Sequence, residues 1–288
     1  MSRIRFVLIF LAIVAVSGGI FSGYREDHNT PEVPDNIDIS PNHTAINTPA
    51  DTNASGNSAP TSNNIHPDVI SYPADVLNLS GWKITLPIDD NNDGTADEIK
   101  MPNLKTFSSS FFRLNEAKDG VVFRANAGGA RTANTSYPRS ELREMTDEGS
   151  RASWSSFRGT HTMTLKAAIS HLPEVKQELV MAQIHDAEDD VIMIRLEKNH
   201  LFVESDGKNI GELDANYKLN TRFSITIQAE VGRIKVLYNG VEKMNIVKKG
   251  SGYYFKAGCY TQTNTDKGDQ AMAYGEVIIY SLKVTHLE

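Results

Sequence analysis

The chain has 288 residues but only one cysteine, Cys259, so no disulfide can form within it and no multi-thiolate metal site can be built. Positive charge is also scarce. Twenty-nine Lys and Arg stand against 36 Asp and Glu, a net charge of -7, the reverse of the basic excess that non-specific nucleic-acid binding requires. A polyanionic partner would have to be met by a local basic patch. Long apolar runs are missing beyond the N-terminus, which argues against a multi-span membrane protein. Sustained helical periodicity is missing too, so no helical layer is expected. With 40% hydrophobic and 23% charged residues, the composition is that of a globular protein stabilised by packing.

The N-terminus carries Ser2-Arg3-Ile4-Arg5, an apolar run from Phe6 to Val16 and then Ser17-Gly18-Gly19, the charged, apolar and small-residue order of an export signal. The run is shorter than the roughly 20 residues of a spanning helix. Residues 1–22 are therefore expected to be a signal peptide, cleaved after Ser17, giving a secreted or periplasmic protein; an uncleaved anchor is the alternative. Residues 23–65 are rich in Asn, Thr, Ser, Pro and Asp and read as a flexible polar linker. A folded domain is expected over residues 66–288, with its boundary near His66-Pro67.

Within that domain, short runs of β-branched and aromatic residues alternate with Gly, Asn and Asp clusters, which predicts an all-β fold. Phe223 to Glu230 alternates, and Arg233 to Tyr238 meets Val241 to Met244 across Asn239-Gly240, a hairpin signal. Val191 to Glu197 and Leu201 to Glu204 form a second expected pair. The run from Glu276 to Val284 reads as a strand buried on both faces. Short helices are expected only near Ala74 to Leu79 and Pro173 to Leu179. So many strands in one domain predict a jelly-roll β-sandwich of two antiparallel sheets.

Side chains alternate between the faces of a strand, and this rule singles out three segments. In Arg139-Ser140-Glu141-Leu142-Arg143, one face carries Arg139, Glu141 and Arg143. In Met181-Ala182-Gln183-Ile184-His185, Gln183 and His185 share a face. In the run from Tyr254 to Gln262, one side carries Tyr254, Lys256, Tyr260 and Gln262, with Phe255, Ala257 and Cys259 behind. If the three strands share a sheet, these residues line a concave polar groove.

Arg-Ser-Glu-Leu-Arg, Gln-Ile-His and Tyr-Phe-Lys-Ala-Gly-Cys-Tyr-Thr-Gln, in this order, resemble the three signature motifs of the alginate lyases of polysaccharide lyase family 7. Trp82-Lys83-Ile84-Thr85-Leu86-Pro87 resembles that family's opening strand. The resemblance implies β-elimination on alginate, and an endo-acting cleavage giving unsaturated oligouronates is expected. The proton at C5 leaves and the glycosidic oxygen at C4 departs. Three roles then need residues. Arg139, helped by Gln183, suits neutralisation of the uronate carboxylate, because a guanidinium matches a carboxylate with two parallel donors. His185, with an ordinary pKa of about 6.5, suits the base, and Tyr260, a phenol with an ordinary pKa of about 10, suits the acid. For mannuronate, Tyr260 alone could serve as base and acid, if its pKa were lowered by Arg139, Lys256 or His185. For guluronate, His185 would be base and Tyr260 acid, and Ile184 leans toward this epimer. Tyr254, Arg143, Lys256 and Gln262 are assigned to flanking sugars, and Glu141 to orienting the two arginines.

Two other classes fit the same fold. A non-catalytic module for acidic glycans, or a lyase for another polyuronate, would use a similar groove. A glycoside hydrolase would need paired carboxylates on a strand, and no Glu-x-Asp-x-Glu pattern is present. The expected partner is alginate or another acidic glycan, with no nucleic acid, no obligate protein partner and a monomeric state. The chemistry requires no metal or other cofactor. Asp89 to Asp97 matches the start of a calcium loop, but Lys100 stands where the closing Glu belongs; a structural Ca²⁺ there is the alternative to a simple Asn-Asp-Gly turn.

Overall fold

The computed structural model describes residues 69–288 apart from 134. The expected signal peptide, the linker and the boundary at His66-Pro67 lie outside the described residues. In chain order the strands are β1 (Trp82–Thr85), β2 (Glu98–Lys100), β3 (Phe112–Leu114), β4 (Val121–Asn126), β5 (Arg139–Glu144), β6 (Trp154–Ser155), β7 (Thr160–His171) and β8 (Glu178–His185). They continue with β9 (Asp190–Glu197), β10 (His200–Ser205), β11 (Lys208–Asp214), β12 (Phe223–Glu230), β13 (Arg233–Tyr238), β14 (Val241–Val247), β15 (Ser251–Thr261) and β16 (Tyr274–Leu287).

These strands form two antiparallel sheets. One runs β11-β10-β9-β8-β15-β5-β1-β2, with β6 attached to β15; the other runs β14-β13-β12-β7-β16-β4-β3. The jelly-roll sandwich expected from the strand pattern is the fold observed. Apolar residues from both inner faces meet between the sheets, among them Ile84, Leu142, Ile184 and Phe255 from the first and Phe123, Leu165, Ile227 and Val277 from the second. Full burial of one such side chain is worth about 1.5–3 kcal/mol. Phe112 and Phe123 add an edge-to-face contact with ring centroids 5.1 Å apart.

The Asn239-Gly240 hairpin joins β13 to β14 as expected. Both turn residues have positive φ, 50° and 79°, which the twist of a two-residue hairpin demands. Cys259 is completely buried against the core, and burial pushes its thiol well above the ordinary range.

Three expectations need correction. The segment near Ala74 to Leu79 holds only a 3-10 turn at Pro73–Asp75. No helix forms over Pro173 to Leu179; the chain passes through a loop there and enters β8 at Glu178. The Asp269 carboxylate accepts the N–H groups of Val175 and Lys176 at 2.8 and 2.9 Å, so a distant side chain supplies the pairing that a helix would have supplied. Finally, β16 buries Val277, Ile279 and Leu282 but leaves Glu276, Ile278 and Tyr280 half-buried, so only one face meets the core. A register shift between Ile279 and Ser281 switches that face partway along and disguises the alternation.

In the Asp89 turn, Asp89 accepts the N–H groups of Asp93 and Gly94, and Asp93 accepts those of Thr95. Its carboxylates thus close the turn on its own backbone. Among the described residues no group of three or more His, Cys, Asp or Glu is arranged to hold a metal, and no helix is long and apolar enough to cross a membrane.

Candidate active site

The three polar segments become neighbours because β15 lies between β8 and β5. Register places Gln183 opposite Lys256, Lys256 opposite Arg143, and Arg143 opposite Lys83 on β1. Tyr254 stands opposite His185, and Tyr260 opposite Arg139. The side-chain period of two then sends all of these residues to the face away from the core. They line a groove of about 700 Å³ together with Thr85, Tyr137, Arg151 and the turn after β8.

Close approach of β15 to β5 depends on Gly258. Its φ is 147°, and a Cβ there would lie 2.5 Å from the Ser140 carbonyl oxygen and 2.8 Å from the Glu141 Cα. No other residue fits.

Beneath the groove floor Glu141 is 1% exposed and gathers three groove residues. Its carboxylate pairs with Arg139 at 2.9 Å and Lys256 at 2.6 Å, and it accepts a hydrogen bond from the Gln183 amide. Burial alone would raise its pKa, but Lys256 and then Arg139 outweigh that and hold the carboxyl below the ordinary range. Two cations facing one carboxylate leave an excess positive charge beside the groove. Burial, opposed by Glu141 and reinforced by Arg139, brings Lys256 down to about 8. Arg139 has a buried Nε that finds no acceptor among the described residues. A donor buried without a partner is costly unless a ligand supplies the acceptor.

The expectation that Glu141 orients both arginines is half right. Arg143 takes another partner: its guanidinium lies 3.8 Å over the Tyr254 ring. Tyr254 in turn stacks on His185, with its hydroxyl 3.1 Å from Nδ1. Its place is therefore beside the histidine rather than only along the groove wall.

His185 Nδ1 is 2.7 Å from the Asp186 carbonyl oxygen. A carbonyl can only accept, so Nδ1 carries the hydrogen and Nε2 keeps the lone pair. Burial, with help from the Lys256 charge, lowers the imidazole pKa and favours this neutral form.

Tyr260 is held by the Arg139 guanidinium, 3.7 Å over its ring, with Tyr137 at 6.3 Å between ring centroids. Burial raises the phenol's pKa, and the Arg139 charge only partly offsets this. That direction is the reverse of the lowered pKa a Tyr260 base would need. Gln262 lies just past the end of β15 at Thr261 and is buried; its amide donates to the Thr261 carbonyl at 3.4 Å, and its side chain hydrogen-bonds the Tyr260 phenol.

Sequence reasoning missed Lys83, Thr85, Tyr137, Arg151 and Glu188 to Asp190 as groove residues. Lys83 and Thr85 could have been found, since they alternate with Ile84 along β1. The others sit in loops or turns, where no periodicity marks a face.

A two-sheet sandwich with a cationic groove, a neutral histidine and a protonated tyrosine defines a lyase-type polysaccharide site, and comparison with known proteins agrees. An alginate lyase family model matches residues 77–286. An alginate lyase of Klebsiella pneumoniae is 31% identical over 75% of this chain and 92% of its own. Among solved structures, the alginate lyase AlgAT5 of polysaccharide lyase family 7 is 54% identical, with a TM-score of 0.73 over 75% of this chain and 99% of its own. The alginate lyase of Corynebacterium sp. is 47% identical, with a TM-score of 0.71 over 75% and 98%. The chain belongs to the alginate lyases of polysaccharide lyase family 7.

Proposed function

We propose that this alginate lyase cleaves its polymer internally by β-elimination, with Arg139 and Gln183 on the uronate carboxylate, His185 as base and Tyr260 as acid. The observation that carries the reading is the arrangement of one groove. His185 Nδ1 is engaged by the Asp186 carbonyl, the Tyr260 ring lies under the Arg139 guanidinium, and Arg139 keeps an unpartnered N–H. The C5 proton is hardly acidic beside a charged carboxylate. Neutralising that charge and holding the enolate that forms is the costly part of the reaction, and preorganised cations supply it. Nε2 then takes the C5 proton, the C5–C4 double bond forms, the C4–O bond breaks and the Tyr260 hydroxyl protonates the departing oxygen.

Two separate groups for base and acid suit guluronate, in which proton and leaving oxygen lie on opposite sides. A tyrosine serving as its own base would first have to lose a proton that burial holds in place, so guluronate-containing blocks are the preferred substrate in this reading. Arg143 and Lys256 meet flanking carboxylates, and Tyr254 and Glu141 position His185 and the cations. No step requires a metal. With residues 1–22 read as an export signal, the polymer is met outside the cytoplasm by an enzyme acting as a monomer.

The test is ultraviolet absorbance of the conjugated double bond, followed separately on polymannuronate and polyguluronate. A faster rise on polyguluronate, abolished in Tyr260→Phe with binding retained, supports the assignment. Binding without any rise on either polymer would leave only a glycan-binding module or a lyase for another polyuronate.

A further inference from the structure

The groove crosses four strands, and its two ends carry opposite charge. At the β1 end Lys83, Arg143 and Arg151 all line it. Glu98 pairs with Lys83 alone. Arg143 donates to the Glu144 carbonyl at 3.3 Å and the Met145 sulfur at 3.9 Å and meets Tyr254, so among the described residues its partners are neutral and no carboxylate pairs with it. Arg151 is exposed, and among the described residues no carboxylate pairs with it. Burial lowers the Lys83 pKa, and the charges of Arg143 and Arg151 push the same way against Glu98, as expected of cations crowded without enough anions.

At the other end the turn between β8 and β9 places Glu188, Asp189 and Asp190 on the groove wall. The turn is firmly closed. The Asp186 carboxylate accepts the N–H groups of Glu188 and Asp189, both at 2.9 Å, and the Asp186 N–H donates to the Asp189 carbonyl at 3.0 Å. Burial and then the Asp189 charge raise Asp190 to about 6.

We propose that Lys83, Arg143 and Arg151 form a subsite for a uronate carboxylate beside the catalytic residues, and that Glu188, Asp189 and Asp190 repel uronate at the opposite end, so the polymer is gripped by one arm. This rests on the lyase reading above. A polyuronate carries a carboxylate on every sugar. Each sugar laid over β5 and β1 meets guanidinium donors of matching geometry, and each laid over the β8–β9 turn meets like charge. Strand spacing of about 4.8 Å places Lys83 roughly 14 Å from the Gln183 strand, room for a few sugars on the gripped side. After elimination, the fragment over the turn leaves first and the fragment over β1 stays.

The test compares Arg151→Glu with the pair Glu188→Gln and Asp189→Asn, using Lys198→Ala in the β9–β10 hairpin as a control outside the groove. Rates on polymeric alginate are read by double-bond absorbance at low and high salt, and products are sized. Arg151→Glu is expected to raise KM about tenfold at low salt, and the paired neutralisation to lower it about threefold, both effects shrinking at high salt. The paired variant should also shift products toward longer fragments, while Lys198→Ala matches the parent. Unchanged KM in both variants, or changes of the same sign, overturns the subsite. Absence of any absorbance rise with the parent enzyme overturns the lyase reading itself.

Discussion

The polar face of the first sheet holds two ion clusters built from the same side chains in opposite proportion. Under the groove, one carboxylate, Glu141, serves two cations, Arg139 and Lys256. Three strands away, one cation, Arg195 on β9, serves three carboxylates: Glu178 at 2.5 Å, Glu197 at 2.8 Å and Glu204 at 2.8 Å. The second cluster surrounds its one cation with three carboxylates and is left with excess negative charge. The first shares one carboxylate between two cations, and that surplus positive charge can act on a substrate anion. The difference teaches that stoichiometry, rather than residue type, separates a structural network from a site. The same arithmetic explains why a chain of net charge -7 can hold a polyanion.

The sharpest way to break this comparison is at the chemistry the first cluster supports. Tyr260→Phe and His185→Asn should each lower kcat by about 10²–10⁴, the usual contribution of a positioned acid or base. Oligouronate affinity measured by calorimetry should change little. Equal losses of affinity and rate would mean that these side chains only bind.

Next in size is the effect on folding. Glu141→Gln leaves Arg139 and Lys256 buried with no counter-charge and should cost about 3–5 kcal/mol in denaturant unfolding. In the other cluster, Glu197→Gln removes one of three redundant and partly exposed carboxylates and should cost less than about 1 kcal/mol. Similar losses at both positions would erase the distinction between them.

The smallest effects are those of pH. As the proposed base, His185 works only when neutral, and its pKa lies below the ordinary value, so kcat/KM should fall only as pH drops below about 6.5. The unfolded chain takes up that proton near 6.5 while the folded histidine resists it. The corresponding stability is present above that pH and is lost as pH falls through the folded value. On the alkaline side Lys256 loses its charge at about 8, which should raise KM, whereas the raised phenol pKa of Tyr260 keeps the acid available. An alkaline fall in kcat with KM constant would assign that limb to the tyrosine instead.

Much of this was legible in the sequence because the candidate site residues lie on regular strands. Alternation alone grouped Arg139 with Glu141, Gln183 with His185, and Lys256 with Tyr260, and the sheet then brought the groups together. Alternation says nothing about which strands become neighbours or what a long side chain reaches. Thus Glu141 reaches Lys256 on β15 rather than Arg143 on its own strand. The acidic turn after His185 and the exposed Arg151 belong to loops, whose positions are fixed by closure of the fold rather than by local pattern. The run from Glu276 to Val284 misled for a related reason: a register shift interrupts its period, so the apolar residues Val277, Ile279 and Leu282 no longer alternate evenly.

Cys259 immediately precedes Tyr260 on β15, and its thiol is sealed in the core with a pKa well above the ordinary range. A thiol in that state does not react with alkylating reagents or oxidants until its strand separates from the sheet. The protein therefore carries a built-in timer beside its proposed catalytic acid. The labelling rate of this single sulfur measures how often the active-site strand opens, with no probe to introduce and no second thiol to confuse the signal.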